Sequence, residues 1–259
     1  MLKTNTIFIG KVLIKLGEVD STTNYLQKLL LSQQIVEGTA VLASFQLSGK
    51  GQRNNKWESD ADKNLLCSIL LNPKFLPARH SFFLTIITAL AVKDTIQEFL
   101  DEKVFIKWPN DIWVKERKIA GILINNTLAG RIINSSIIGI GLNINQTNFP
   151  ATLEASSIKT YVNTIIKIEE VFSLLCLHLE RRYLELKSGK VEKLKMEYRA
   201  DLLGLNEHRE YLDSNEHITF TGLIKGVNAA GQLAIQLQNG TIRHYNNKEI
   251  IFLKKKGQP

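Results

Sequence analysis

Four short segments of this 259-residue sequence combine residue types that could bind and activate an anionic substrate. In the first, residues 49–57, two glycines would let backbone amides approach a ligand closely, and Lys50, Arg53 and Lys56 add positive charge. A loop with free N–H groups and cations suits a phosphate or a carboxylate, and Trp57 would add a flat apolar wall. The spacing of a Walker A loop is absent, and an ordinary solvated loop explains the segment equally well.

The other three segments place polar or small residues at the bends and ends of expected strands. Residues 107–112, Lys-Trp-Pro-Asn-Asp-Ile, put an amide and a carboxylate at a proline bend, although a tight turn would also favour Asn and Asp. Residues 117–123, Arg-Lys-Ile-Ala-Gly-Ile-Leu, lead a charged pair into a strand of small residues. There Lys118 would reach an approaching ligand, and a solvated hairpin turn with a packing glycine is the alternative.

The fourth segment, residues 139–145, reads Gly-Ile-Gly-Leu-Asn-Ile-Asn. Because side chains alternate between the faces of a strand, one face would be bare backbone that ends at Asn143. A bare strip of this kind suits a flat heteroaromatic ring, and a β-bulge is the competing interpretation.

The apolar pattern predicts the elements that must position these segments. Helices are predicted from residue 20 onward, where short polar side chains signal a helix start, and over residues 77–100, 168–186 and 190–202. Strands are predicted over residues 6–16, 39–46, 65–71, 104–108, 112–114, 119–125 and 131–145. After residue 204 the chain changes to short strands between Asn and Gly turns, typical of a small all-β barrel. We therefore predict a catalytic domain of residues 1–204 and a C-terminal domain of residues 205–259.

Composition excludes several classes of protein. A hydrophobic share of 44% and a charged share of 22% are ordinary for a globular protein. The longest apolar run, residues 82–92, is well short of the roughly 20 residues that a membrane-spanning helix needs. Two cysteines, Cys67 and Cys176, are too few for a disulfide framework or a four-cysteine zinc site, which favours a reducing cytoplasm. The histidines show no metal-ligand spacing, so no protein-held metal is predicted.

The net charge of +8 first suggests a nucleic-acid partner, but the positive charge is concentrated in two stretches. Residues 181–200 hold seven basic residues against three acidic ones, and residues 242–256 hold five against one. These two stretches contain the whole excess, so the four segments lie in a remainder without net charge.

Together, and in this order, the four segments resemble those of the biotin protein ligases, the biotin–[acetyl-CoA-carboxylase] ligases. That family carries a Gly-Arg-Gly-Arg-x-Gly-Arg-x-Trp loop, a Lys-Trp-Pro-Asn-Asp segment, an Arg-Lys-[Leu/Ile]-Ala-Gly-Ile-Leu strand and a Gly-x-Gly-x-Asn strand. The second and third occur here unchanged. The resemblance covers residues 18–253, with further matches at residues 20–22, Gln46 and residues 156–158.

The loop departs from the family pattern at four positions: Lys50, Gln52, Asn54 and Asn55 stand where the family has Arg, Arg, Gly and Arg. Lys50 keeps the positive charge without the planar fork of arginine, and Gln52 keeps only a backbone N–H as donor. The Gly-Gly-Glu-[Ile/Val] turn of many relatives is also altered, to Asn-Asn-Lys-Glu-Ile at residues 246–250.

The resemblance implies an α+β fold, in which a mixed β-sheet with packed helices, like the class II aminoacyl-tRNA synthetase and biotin–lipoate ligase catalytic domains, precedes a small SH3-like β-barrel. It implies an enzyme that couples biotin to ATP as biotinyl-5′-AMP, with Mg²⁺ on the phosphates. The enzyme would then transfer biotin to one lysine of a biotin carboxyl carrier domain.

The resemblance also implies roles for individual residues. The catalytic residues would be Lys118, Asp111 and Arg53. Biotin would be bound by Ser21, Thr22, Thr23, Gln46, Lys50, Gly51, Gln52, Lys118, Gly121 and Gly139. ATP and the adenylate would be bound by Arg53, Trp57, Lys107, Asn110, Lys118 and Asn143.

Two other functions compete with this one. A lipoate or octanoate ligase or transferase of related fold would modify a similar carrier lysine, and Gln46 and residues 107–111 favour biotin over it. A nucleic-acid binder is suggested by charge alone. Only 19 residues precede Asp20, which leaves no room for the N-terminal helix-turn-helix of relatives that repress transcription. We therefore expect a monofunctional, cytoplasmic ligase, monomeric or homodimeric, without specific DNA or membrane partners.

Overall fold

In the computed structural model, which describes residues 4–52 and 55–253, both helices and strands occur up to residue 200, and strands without α-helices follow. The strands of the first part are β1 (Leu13–Val19), β2 (Ala40–Gln46), β3 (Asn64–Leu71), β4 (Val104–Lys107), β5 (Asp111–Val114), β6 (Arg117–Ala129) and β7 (Ile132–Asn143). The α-helices are α1 (Thr22–Ser32), α2 (Phe82–Gln97), α3 (Ile158–Val162), α4 (Ile168–Lys187) and α5 (Val191–Ala200). The later strands are β8 (His208–Asp213), β9 (Ile218–Val227), β10 (Leu233–Leu237), β11 (Ile242–Tyr245) and β12 (Ile250–Phe252).

The first seven strands form one mixed sheet in the order β1-β2-β3-β7-β6-β5-β4. Only β1 and β2 pair in parallel, and the other neighbours pair antiparallel. Every residue of β3 is buried, which explains its continuous apolar run, because this strand is covered on both faces. Helices α2 and α4 pack together beside the sheet, and α2 is apolar around most of its circumference. The α+β class predicted from the sequence is confirmed.

The five later strands form a separate antiparallel sheet in the order β11-β10-β9-β8-β12. This small sheet agrees with the predicted SH3-like C-terminal unit. The domain boundary near residue 204 stays a prediction.

Two predicted elements were wrong in their extent. Residues 6–12 form turns and bends rather than a strand, because the backbone N–H groups of Ile7, Phe8 and Ile9 donate to the buried Glu180 carboxylate. The helix predicted over residues 77–100 is interrupted after a short 3₁₀ turn, and α2 begins only at residue 82. The N–H of Ala78 donates to the carbonyl of Arg131, which ties this segment to the β6–β7 hairpin.

The bend between β4 and β5 is held from two sides. The hydroxyl of Tyr198 on α5 donates to the carbonyl of Pro109 at 3.0 Å, and the indole Nε1 of Trp108 donates to the carbonyl of Gly231 at 2.9 Å. Burial raises the pKa of Tyr198, so this phenol stays a neutral donor. The bend is therefore fixed both to the helical layer and to the C-terminal sheet.

Within the described ranges, no helix has the combination of length and apolar character that crossing a lipid bilayer requires.

Replacing Tyr198 with Phe should lower the free energy of unfolding by about 1 kcal/mol, because the partly buried Pro109 carbonyl loses its donor. Urea unfolding followed by circular dichroism measures this. Tyr25→Phe is the matched control, since no hydrogen bond of its hydroxyl occurs among the described residues, and should change stability by less than about 0.5 kcal/mol. Equal stability of both variants would show that the Tyr198 bond does not hold the bend.

Candidate functional site

A cavity of about 560 Å³ opens between the start of α1, the loop after β2, strands β5 to β7 and the turn between β11 and β12. It brings together most of the residues singled out in the sequence, although they are distributed over most of the chain. The predicted site residues that line it are Ser21, Thr22, Thr23, Gln46, Lys50, Gly51, Gln52, Trp57, Lys107, Asn110, Asp111, Lys118, Gly121 and Gly139. Arg53 lies outside the described residues, and Asn143 is not part of the lining.

Buried hydroxyl groups form one end of the cavity, at the start of α1. The amide oxygen of Gln46 accepts from both the backbone N–H and the hydroxyl of Thr22, at 2.8 and 3.1 Å. The Ser68 hydroxyl lies 2.9 Å from that of Thr22 and 3.0 Å from that of Thr23. This cluster offers several donors and acceptors in an apolar surrounding, which suits a small polar ring with an apolar attachment.

The helix-start prediction at Ser21 was right in place but not in mechanism. Ser21 occupies the N-cap of α1 and makes no capping hydrogen bond through its side chain. Gln46 takes the N–H of Thr22 instead. The Ser21 side chain therefore faces the cavity rather than serving the helix.

The loop after β2 is a narrow hairpin. Its arms pair through Lys50 and Lys56, and the N–H of Gly51 donates to the carbonyl of Asn55 at 2.7 Å. A side chain at Gly49 would collide with the carbonyl oxygen of Trp57, which explains the glycine there. The hairpin ends at Trp57, so the position of this indole is tied to that of the loop.

The bare glycine strip expected on β7 exists, but the protein covers it with its own indole. Gly121 and Gly141 face each other across β6 and β7. A Cβ atom at Gly141 would lie 2.8 Å from Cδ2 of Trp57, and one at Gly121 would lie 3.0 Å from Cζ3. The strip is therefore covered by the indole, whereas the sequence had suggested that it is open to a ligand ring. Trp57 instead packs on it and offers the cavity the flat wall that the sequence suggested.

The cavity lining includes an ion pair between two predicted catalytic residues. The Lys118 ammonium lies 2.7 Å from Oδ1 of Asp111, and both side chains are about a third exposed. The Lys118 side chain passes over Gly121, with its ammonium 5.7 Å from the centroid of the Trp57 ring. Backbone bonds to Glu154 and Ser156 fix the start of β6, so the lysine projects from a rigid strand.

A second cation, Lys107, lies on the aromatic side of the cavity. Its ammonium is 3.8 Å from the centroid of Trp113 and 5.4 Å from that of Phe252. Burial lowers the pKa of Lys107, and the nearby Asp111 carboxylate opposes this shift. A negatively charged ligand would favour the protonated form further.

Two residues that were predicted to contact the ligand donate hydrogen bonds to backbone carbonyls of the protein instead. The Asn110 amide donates to the carbonyl of Ile122, which fixes the bend against β6. Asn143 is buried, and its Nδ2 donates to the carbonyl of Ser156 at 3.0 Å. The Asn143 Oδ1 is buried without a hydrogen-bond partner among the described residues.

Cys67 also lines the cavity without offering chemistry. Burial raises the pKa of its thiol to about 12. Both Cys67 and Cys176 are free and buried, so neither is a reactive nucleophile.

The C-terminal sheet contributes a wall of the cavity that was not predicted from the sequence. Asn247 and Lys248, in the turn between β11 and β12, line the cavity together with residues 250–252. The Asn247 amide donates to the side-chain oxygen of Gln52 in the hairpin. The departure of residues 246–250 from the family turn was the signal that could have drawn attention to them.

The sequence and the fold are similar to those of known biotin protein ligases. Residues 16–143 match the model of the biotin/lipoate A/B protein ligase family. The bifunctional ligase/repressor BirA of Bacillus subtilis is 29% identical over 233 residues, which cover 88% of this chain and 71% of that protein. The biotin–[acetyl-CoA-carboxylase] ligase of Mycobacterium tuberculosis is 23% identical over 80% of this chain and 76% of its own length.

Among solved structures, the biotin protein ligase from Aquifex aeolicus in complex with biotin and ATP superposes with a TM-score of 0.78 at 27% identity. The match covers 95% of this chain and 100% of that one, so it includes the C-terminal sheet. Residues 16–143 therefore form a domain of the biotin/lipoate A/B protein ligase family, and the chain as a whole is similar to biotin protein ligases.

Proposed function

We propose that this protein activates biotin with ATP to biotinyl-5′-AMP and then transfers biotin to a lysine of a biotin carboxyl carrier domain. The observation that carries the proposal is the convergence of three features on one cavity: the hydroxyl cluster around Gln46, the ammonium of Lys118 and the indole wall of Trp57. The hydroxyl cluster suits the ureido ring of biotin, the ammonium suits a carboxylate that meets a phosphate, and the indole suits a purine.

In the first step a carboxylate oxygen of biotin attacks the α-phosphorus of ATP. The new C–O–P bond forms while the bond to the β-phosphate oxygen breaks, and pyrophosphate leaves. Two anions must approach each other, so fixed positive charge has to hold both and stabilise the charge that develops. We assign this role to Lys118, which projects from β6 into the cavity that the hydroxyl cluster and Trp57 also line.

Other cations would assist. Lys50 and Lys107 line the same cavity, and the ammonium of Lys50 lies 2.8 Å from the side-chain oxygen of Asn24. Arg53 keeps its proposed role in adenylate binding and catalysis as a prediction from the sequence. Asn143 keeps its proposed role in reading adenine through its unpaired Oδ1.

The described residues contain no group of three or more His, Cys, Asp or Glu side chains that could hold a metal. The acidic residue in the cavity lining, Asp111, is paired with Lys118. We propose that Mg²⁺ enters bound to the ATP phosphates, as it commonly does at nucleotide sites.

The mixed anhydride must then be protected from water. We propose that the hairpin of residues 49–57 acts as the lid, because it borders the cavity and carries the Trp57 wall. In the second step the amine of the acceptor lysine attacks the carbonyl carbon and AMP leaves. Asp111 already accepts an ammonium, that of Lys118, and would orient the acceptor amine or take its proton.

Buried free cysteines are consistent with a reducing, cytoplasmic location. We further propose that the ligase does not recognise specific DNA.

Biotin-dependent exchange of pyrophosphate into ATP, and biotin transfer to a carrier domain, test the proposal directly. We expect both activities with biotin, and a larger rise in thermal stability with biotin than with lipoate. Absence of both activities, or a preference for lipoate in exchange and stabilisation, would overturn it.

Lys118→Ala should slow adenylate formation by at least about 10²-fold, because one preorganised charge at the reacting centre is lost. Single-turnover formation of biotinyl-5′-AMP measures the effect. Lys15→Ala is the control, since Lys15 pairs with Glu169 on the surface, outside this cavity. A rate within about threefold of wild type would refute the role of Lys118.

Two glycine variants should separate the biotin and nucleotide ends of the cavity. In Gly139→Ala the new methyl group would lie 2.7 Å from the Thr23 hydroxyl, so biotin affinity should fall about tenfold with ATP affinity unchanged. In Gly141→Ala it would displace the Trp57 indole, so ATP affinity should fall about tenfold with biotin affinity unchanged.

Calorimetric titration with each ligand checks the pattern. Gly17→Ala, where an added Cβ meets nothing within 4 Å, controls for substitution of a glycine. If both variants weaken the same ligand, the two ends of the cavity are wrongly assigned.

A further inference from the structure

Lys248 adopts a backbone conformation that favours glycine. Its φ is +74°, in the left-handed region that residues with side chains rarely occupy. In the family turn that this segment resembles, Gly-Gly-Glu-[Ile/Val], a glycine would adopt it without strain, whereas this chain has Lys there. An unfavourable backbone conformation at a cavity wall suggests that the side chain of this residue has a function there.

The turn brings the Lys248 charge to the cavity without a partner to neutralise it. Lys248 lines the cavity, and it has no ion pair or hydrogen bond with any residue that the structure describes. The neighbouring Glu249 carboxylate is used otherwise, because it accepts from the backbone and side-chain N–H groups of Asn246. The ammonium is therefore available to a ligand.

The turn is also attached to the hairpin on the opposite wall. The Asn247 amide donates to the Gln52 side chain, so the residue beside Lys248 contacts the loop directly. Gln52 is one of the positions where the family pattern has arginine, and Asn55 is another. The loop has lost positive charge at these positions, and the C-terminal turn has gained one.

We propose that Lys248 binds the phosphates of ATP, and that the Asn247–Gln52 hydrogen bond positions it. The choice of ATP as ligand rests on the proposed function. Biotin has a single carboxylate, and Lys118 already stands where that group would react, whereas the triphosphate carries several charges. The positive charge missing from the hairpin is thus supplied by the C-terminal sheet.

Lys248→Gly tests the charge without adding backbone strain. Affinity for magnesium-bound ATP, measured by calorimetric titration with a non-hydrolysable ATP analogue, should fall five- to tenfold. Affinity for biotin should stay within twofold of wild type, and affinity for AMP should fall less than affinity for ATP. The thermal stability of the variant should not be lower than that of wild type. Lys248→Arg should retain ATP affinity.

Lys115→Gly is the matched control, since Lys115 is also a left-handed lysine, with φ of +54°, but is paired with Glu102 outside the cavity. It should leave ATP affinity unchanged. ATP affinity equal to wild type in Lys248→Gly, or an equal loss of biotin affinity, would overturn the proposal.

Asn247→Ala tests the positioning bond. It should weaken ATP binding in the wild-type background and have no further effect in the Lys248→Gly background, because the two residues act on one contact. Additive losses would show that Asn247 acts independently of Lys248. These titrations do not require turnover, so a chain that binds ATP but fails biotin-dependent exchange would refute the proposed function and leave the role of Lys248 measurable.

Discussion

The pairing of Gly121 with Gly141 across β6 and β7 is the contact on which the candidate site depends. Because neither residue has a side chain, the sheet presents bare backbone, and the Trp57 indole packs flat against it. Trp57 ends the hairpin of residues 49–57, so this packing influences where Lys50 and Lys56 lie. Lys118 passes over Gly121, and the same pairing therefore also gives the central cation its path to the cavity.

This arrangement gives the cavity an excess of positive charge. Five lysines and one carboxylate belong to the described lining of the cavity, and that carboxylate is already paired. A concave surface with so large an excess of positive charge concentrates ligands that carry several negative charges. The concentration of net charge in residues 242–256 suggested that this charge lies away from the chemistry. The fold changes that conclusion, because Lys248 belongs to this stretch and reaches the cavity.

Local sequence patterns predicted much of the fold and most of the cavity lining. The apolar runs of β2 and β3 predicted these strands, because strands that are buried within a sheet consist mainly of apolar residues. The strand expected at residues 6–12 failed because its backbone donors go to Glu180, a distant residue that no local period reveals. The indole that covers the glycine strip was missed for a similar reason, since it depends on the register of two strands.

The C-terminal sheet is part of the candidate site because of hydrogen bonds to distant segments, which its own sequence does not reveal. Among the described residues, three hydrogen bonds connect it to the elements around the cavity: Trp108 donates to Gly231, Arg199 on α5 donates to the carbonyl of Lys225, and Asn247 donates to Gln52. Two of these contacts reach segments with proposed chemical roles, the proline bend and the hairpin. Any displacement of the small sheet would therefore disturb both at once and remove one wall of the cavity. A unit that holds the bend, contacts the hairpin and adds a cation to the cavity is therefore part of the candidate site.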